Sequence, residues 1–140
     1  MRFPLVVLML PIFIHCAQQP EQVITSTWPD GSAKREVTMD HGDSTAVRTF
    51  YQNGTVEKIG FYDAGLKAGT WSAYYEDGLL WSEHHYYQDN QVGLYRTWHP
   101  NGQLFMEGSY SEQGNPTGTW TFKDDQGNTI RSVEGEALNP

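Results

Sequence analysis

Hydrophobic and polar positions alternate along most of this chain, in contrast to the three- and four-residue spacing of a buried helix face. The alternating runs are interrupted by turn formers, for example QNG ending at Gly54 and EDG ending at Gly78. Alternation on both sides of an Asn-Gly or Asp-Gly dipeptide is typical of a β-hairpin. The pattern therefore predicts an all-β protein made of successive hairpins.

The turn dipeptides recur at an interval of about 24 residues, which indicates an internal repeat. The repeat turn glycines are Gly31, Gly54, Gly78, Gly102 and Gly127. Seven residues before four of them stand Val47, Trp71, Tyr95 and Trp120. The repeat predicts an open, elongated antiparallel sheet of about eight to ten strands over residues 27–136, built from five hairpin units.

The spacing also predicts which residues face each other across each hairpin. If each dipeptide forms a two-residue turn, Tyr75 faces Leu80, and the equivalent residues of the other units do likewise. The same register pairs Val47 with Gly60, Trp71 with His84 and Tyr95 with Gly108. An aromatic ring over a cross-strand glycine is an arrangement that supports glycine within a strand.

The segment WSEHHYYQDN contains the only adjacent histidines, His84 and His85, with Glu83 and Asp89 nearby. Read alone, it suggests a metal site or an acid–base site. Neighbouring residues of a strand point to opposite faces, so these two histidines cannot converge on one ion. We expect His84 to pack against Trp71 and His85 to face solvent, with no metal bound.

Alternation divides the predicted sheet into two faces of different character. One face repeats closely between units and is the expected packing face. The other mixes large rings with charged side chains, and Trp, Tyr and Arg are enriched in binding hot spots. The candidate binding face consists of Tyr74, Trp81, Glu83, Arg96, Trp98, Phe105 and Glu107. The alternative is that these rings pair across strands (Tyr74 with Trp81, Trp98 with Phe105) and only stiffen the sheet.

The first residues differ in character from the repeats. An apolar run follows Arg2 and ends near Cys16, the only cysteine. The run is typical of a signal peptide. Its end resembles the lipid attachment site of a bacterial lipoprotein, although His15 departs from the usual small residue. Residues 1–16 are therefore predicted to be a signal peptide ending at a lipidated Cys16, and 17–26 a linker. Ordinary secretion and an uncleaved anchor are the alternatives.

Charge and the absence of motifs exclude several classes of function. The net charge of −8 argues against nucleic-acid binding, which needs a basic surface. No nucleophile elbow, phosphate loop or paired-cysteine motif is present, so neither an enzyme nor a cofactor is expected. Glu83 and Glu107 stand one repeat apart, near the carboxylate spacing of an inverting glycosidase, but a flat sheet offers no closed cleft. The acidic turns lack the ligands of a calcium loop.

The repeat unit resembles the variant MORN repeat family, whose pattern matches GTWSAYYEDGLL (69–80), GLYRTWHPNGQL (93–104) and EGSY (107–110). His84 in a glycine position and the Asn115-Pro116 insertion depart from that pattern. The resemblance implies a non-enzymatic scaffold, and many bacterial members are antitoxin-like. We therefore expect an envelope-tethered module that binds a protein partner. Antitoxin-like neutralisation and cell-surface carbohydrate binding are the alternatives.

Overall fold

The computed structural model describes residues 19–138, so the predicted signal peptide and Cys16 lie outside the described residues. Those residues form one antiparallel sheet in which consecutive strands are neighbours, with order β1-β2-β3-β4-β5-β6-β8-β9-β10-β11 and β7 paired to β6. The strands are β1 (Glu21–Thr27), β2 (Ala33–Asp40), β3 (Asp43–Phe50), β4 (Val56–Asp63), β5 (Leu66–Tyr74), β6 (Leu80–Tyr87), β7 (Asn90–Gln91), β8 (Gly93–Trp98), β9 (Leu104–Tyr110), β10 (Pro116–Lys123) and β11 (Thr129–Glu134). A 3₁₀ turn follows at Gly135–Leu138. The predicted open sheet of successive hairpins is confirmed.

The five repeat glycines close one set of hairpins, and each has a positive φ between 81° and 90°. In the central turn the Gly78 amide donates to the Tyr75 carbonyl (2.9 Å) and the Tyr75 amide donates to the Leu79 carbonyl (2.8 Å). This is a three-residue loop that ends in a left-handed glycine, which a residue with a β-carbon would strain. At the other end of the strands, pairs of positive-φ residues such as His41 and Gly42 make tighter turns.

The loop size corrects the predicted pairing next to the turns. Tyr74, not Tyr75, is the Cα partner of Leu80, and a register shift separates this pair from Ala73 and Ser82. The predicted two-residue turn is wrong because the glycine adds a third loop residue, and a bulge at Trp81 restores the register beyond it. Farther from the turn, the predicted partners Trp71 and His84 are confirmed.

The predicted linker at 17–26 is also corrected, because most of it lies in β1. Val23 is the partner of Val37 in β2, so the sheet begins at Glu21. Every residue of β1 is exposed. The sequence signal was weak here because residues of an edge strand that covers no core need not alternate in polarity.

Burial concentrates in two adjacent rows that cross the sheet on the side of Trp71 and His84, the face predicted to pack. The most buried side chains in residues 19–138 are Val37, Val47, Ala73, Ser82, Thr97 and Trp120. Ala73, Ser82 and Thr97 are successive cross-strand partners and therefore share this side. Because the described chain forms a single layer, its core is the lining of one face of the sheet.

The turns are tied to each other by one recurring hydrogen bond. The residue three positions before each of the first four repeat glycines donates to a carbonyl of the next unit. Trp28 Nε1 donates to Phe50 (3.1 Å), Tyr51 Oη to Tyr74 (2.8 Å), Tyr75 Oη to Trp98 (2.7 Å) and His99 Nε2 to Lys123 (2.9 Å). The position accepts Trp, Tyr or His because each can place an N–H or O–H donor at the end of a ring.

Replacing Tyr75 with phenylalanine tests this inter-unit bond. We expect the free energy of unfolding to fall by about 1 kcal/mol, because a part-buried carbonyl loses its donor. Chemical denaturation of both proteins measures the change. Tyr74→Phe is the matched control, since no described residue hydrogen-bonds its hydroxyl. Equal effects of the two substitutions would show that the bond contributes nothing.

Candidate functional site

A chain of aromatic rings crosses the packing side of the sheet. Tyr62 contacts Trp71 (centroids 5.3 Å apart), Trp71 contacts Tyr86 (5.8 Å) and His84 contacts Tyr95 (4.6 Å). The chain continues from Tyr95 to Tyr110 (6.0 Å) and Trp120 (5.4 Å). Most of these contacts are edge-to-face, the geometry that aromatic quadrupoles favour.

His84 stands where the neighbouring units have Gly60 and Gly108. At each of these positions, the size of the residue matches the size of the ring that covers it. A β-carbon at Gly60 would overlap the Trp71 ring, and one at Gly108 would overlap the Trp120 ring. The ring over each glycine therefore comes from the following unit, whereas the sequence pattern had suggested the preceding one. Where the glycine is replaced by His84, the following ring is the smaller Tyr95, so the expected packing of His84 against Trp71 is corrected to Tyr95.

Between the ring chain and the glycine turns lies a cavity of about 420 Å³, which we call the aromatic cavity. Ala73 and Ser82 lie deepest, since both are at most 7% exposed. Its other lining residues are Lys58, Lys67, Trp71, Ser72, Trp81, His84, Tyr86 and Tyr95. Small residues in the middle and rings around them create a concave, mostly apolar site of a size that holds small ligands.

The charged side chains of the aromatic cavity are two lysines. The Lys67 ammonium lies 4.7 Å from the centre of the Trp71 ring and 4.9 Å from that of Tyr86. The Lys58 ammonium lies 3.5 Å from the carboxylate of Glu57, a residue that does not line the cavity. In the part of the chain that the structure describes, no carboxylate is within ion-pair distance of Lys67. A cation held against rings is stabilised by their quadrupoles and stays available to an anion.

His84 contributes a neutral ring to the aromatic cavity. Burial, and then the charge of Lys67, hold the pKa of His84 below its ordinary value, so the ring is uncharged at neutral pH. The Gln91 amide donates to His84 Nδ1 (2.9 Å), which leaves the proton on Nε2. His84 therefore presents an Nε2–H donor in the cavity wall.

The seven residues of the predicted binding face divide between the two sides of the sheet. Glu83, Arg96 and Glu107 are successive cross-strand partners on the side opposite Trp71. The Arg96 guanidinium donates to Glu107 (2.6 Å) and lies in the same row as Glu83. Tyr74 and Trp98 follow Ala73 and Thr97 directly, so strand alternation places them on that opposite side as well.

Trp81 and Phe105 do not share that side, which corrects the predicted single face. Trp81 lines the aromatic cavity, and its ring lies 6.4 Å from Tyr75. Phe105 lies 4.9 Å from His99 and 6.3 Å from Phe122. Both occupy the bulge after the glycine turn, where the extra residue reverses the side on which the ring lies. The alternative, in which Tyr74 pairs with Trp81 and Trp98 with Phe105 across the strands, is replaced by these contacts.

Sequence reasoning missed Lys58, Lys67 and Gln91 as parts of a site. Each stands at a position where the neighbouring units have other residue types, so the repeat pattern gave no reason to group them. The cross-strand register shows that two of these residues lie next to residues of the cavity. Lys58 is opposite Ala73, and Gln91 is opposite Tyr86.

Residues 19–138 contain neither a metal-binding cluster nor a membrane-spanning helix. No group of three or more His, Cys, Asp or Glu side chains there could hold a metal ion. Within the same residues, no helix has the length and apolar character needed to cross a membrane.

A known repeat family matches three of the hairpins. The model of the MORN repeat variant matches residues 46–64, 67–89 and 91–112. Three segments of this chain are therefore similar to MORN-variant repeats. They correspond to the β3–β4, β5–β6 and β8–β9 hairpins, and the aromatic cavity lies within them. The β1–β2 and β10–β11 hairpins continue the same architecture on either side of the matched repeats.

Solved structures of remote proteins match this chain only weakly. A mutant TarM of S. aureus in complex with fondaparinux, alpha-GlcNAc-glycerol and UDP is 11% identical, with a TM-score of 0.39, over 65% of this chain and 20% of that one. A GtfA/B complex bound to UDP and GlcNAc is 15% identical, with a TM-score of 0.28, over 94% of this chain and 26% of that one. This chain thus spans about a quarter or less of their lengths, and similarity this low carries no argument about activity. No curated protein sequence matches this chain.

Proposed function

We propose that this protein is a non-enzymatic interaction module whose MORN-variant repeats bind a ligand in the aromatic cavity. The observation that supports it is the cavity itself, a concave site with exposed rings and two cations in the middle of the repeats. Trp81 is 46% exposed there, although tryptophan is a side chain that folding normally buries. A rigid ring held open to solvent is suited to binding because little conformational entropy is lost when it is covered.

A protein partner is the first candidate ligand. Exposed Trp and Tyr side chains are typical of the hot spots that receive a partner segment. Affinity capture from envelope extracts, comparing the full chain with Trp81→Ala, tests this candidate. We expect a specific partner to be lost with Trp81→Ala. It should be retained with Phe61→Ala, which removes an exposed ring from the other side of the sheet.

Equal recovery of all bound proteins by wild type and Trp81→Ala would reject the aromatic cavity as the protein-binding site. A toxin among the captured proteins would support the antitoxin-like alternative. In that case, co-expression of the two proteins should restore growth.

A cell-surface carbohydrate is the second candidate, because the cavity wall combines flat rings with free polar groups. In residues 19–138 the hydroxyls of Tyr86 and Tyr95 have no hydrogen-bond partner, in contrast to those of Tyr51 and Tyr75. Burial raises the pKa of both Tyr86 and Tyr95, so they remain protonated donors. Rings with hydroxyl donors beside them match the alternating apolar and polar surface of a sugar.

We further propose that the module is held at the bacterial cell envelope through a lipid on Cys16, because an apolar run ends next to this cysteine. Metabolic labelling with a fatty acid is expected to mark the wild-type protein and to be lost in Cys16→Ser. Labelling that persists in Cys16→Ser would reject lipidation at this residue. Release of an unlabelled wild-type protein into the medium or periplasm would instead favour ordinary secretion.

A further inference from the structure

The charges of the aromatic cavity are opposite to those of the protein as a whole. The chain carries 17 acidic and 9 basic residues, for a net charge of −8. None of the residues that line the cavity is acidic, whereas Lys58 and Lys67 are both among them. A basic site within an acidic protein selects an anionic group locally, because exposed charges farther away than about 10 Å are screened by salt.

Lys67 is the better placed of the two cations to receive that group. Lys58 already lies 3.5 Å from the Glu57 carboxylate. The Lys67 ammonium lies over Trp71 and Tyr86, with no carboxylate partner among residues 19–138. An ammonium next to rings is partly desolvated, so a carboxylate that reaches it forms a charge-assisted hydrogen bond at a low further cost of desolvation.

The uncharged groups around Lys67 favour a sugar as the carrier of the carboxylate. The backbone groups of the cavity floor are used within the sheet, since Ala73 and Ser82 lie in paired strands. The polar groups that remain are side-chain donors on rings, namely the hydroxyls of Tyr86 and Tyr95 and the Nε2–H of His84. Trp81 on the turn side offers an exposed flat ring. Donors dispersed over ring surfaces suit the hydroxyls and apolar ring faces of a carbohydrate.

We propose that the aromatic cavity binds an acidic oligosaccharide, with one sugar carboxylate on Lys67 and another sugar ring of the same chain against Trp81. This inference rests on the proposed function only in placing the ligand in the aromatic cavity, and it makes the second candidate ligand specific. It assigns the cavity a single sugar class, the uronic acids, and gives Lys67 the selecting role. His84 contributes as a neutral donor.

Binding of defined probes to the full chain tests the proposal. The probes are oligogalacturonate, a neutral malto-oligosaccharide of the same length, and poly-glutamate of similar charge. We expect oligogalacturonate to bind, and to do so at least about tenfold more tightly than either other probe. Equal binding of poly-glutamate would show that charge attraction alone explains the binding. Equal binding of the neutral sugar would show that the carboxylate is not recognised. Either result overturns the proposal, as does the absence of binding to all three probes.

Matched variants localise the binding. Lys67→Gln and Trp81→Ala are each expected to weaken oligogalacturonate binding at least about tenfold. Lys34→Gln removes another lysine held over a tryptophan, Trp28, and should leave binding unchanged, as should Phe61→Ala. Circular dichroism confirms that each variant is folded. Unchanged binding of oligogalacturonate to folded Lys67→Gln would overturn the proposal. If a protein partner is captured in a Trp81-dependent way and no sugar binds, this proposal fails but the proposed function is retained.

Discussion

Replacing Trp120 with alanine is expected to lower the free energy of unfolding by about 4 kcal/mol, a large part of the stability of a small domain. Trp120 is 3% exposed and packs on Gly108, with Tyr95 and Tyr110 at 5.4 and 5.1 Å. Its removal leaves a cavity that a single-layer sheet cannot fill from another layer. Urea denaturation of wild type and variant measures the loss.

The matched control for this prediction is Trp81→Ala. Trp81 is 46% exposed, so its loss should cost about 1 kcal/mol or less. In a repeat protein each unit contacts only its neighbours. Faster hydrogen exchange in Trp120→Ala should therefore be confined to β8–β11, with β1–β3 unchanged. Similar losses for Trp120→Ala and Trp81→Ala would contradict the idea that only one of these rings belongs to the core.

Replacing Gly108 with histidine, the residue found at the equivalent position 84, is expected to destabilise the protein by about 3 kcal/mol. A β-carbon at this position overlaps the Trp120 ring, so the ring or the strand must shift. The same denaturation experiment measures the effect. Ser109→His on the adjacent position, which faces the other side of the sheet, is the control for introducing histidine into β9.

A compensating substitution makes this prediction specific. Gly108→His combined with Trp120→Tyr reproduces the His84–Tyr95 pair, whose rings contact at 4.6 Å. Tyrosine at 120 loses no hydrogen bond, because within residues 19–138 no acceptor meets Trp120 Nε1. We expect the double variant to be at least about 1 kcal/mol more stable than Gly108→His alone. Additive destabilisation by the two substitutions would show that ring size and the glycine are not coupled.

Strand alternation, read from the sequence, places some side chains on the correct side of the sheet and others on the wrong side. Alternation correctly separates His84 from His85, which contacts Thr70 (3.1 Å) on the other side. It fails for Trp81 and Phe105 because each lies in a bulge, and one extra residue is enough to reverse a period of two. Whether any of the seven predicted binding residues contacts a partner stays a prediction. The aromatic cavity contains one of them, Trp81.

The sequence by itself determined the local elements of this protein. Glycines such as Gly78 specify the turns, because a left-handed conformation excludes most other residues. Alternation between the turns specifies strands. Together they determine an open sheet of hairpins, the unit register away from the turns, and the pairing of Trp71 with His84.

Only the tertiary structure decided how one unit meets the next. The Trp120 ring over Gly108, the Tyr75 bond to Trp98 and the contact of Lys67 with Tyr86 all join residues of different strands or units. Such contacts depend on loop length, bulges and ring size at once. A local pattern carries none of this information, because each ring has a neighbour on both adjacent strands and sequence periodicity does not distinguish them.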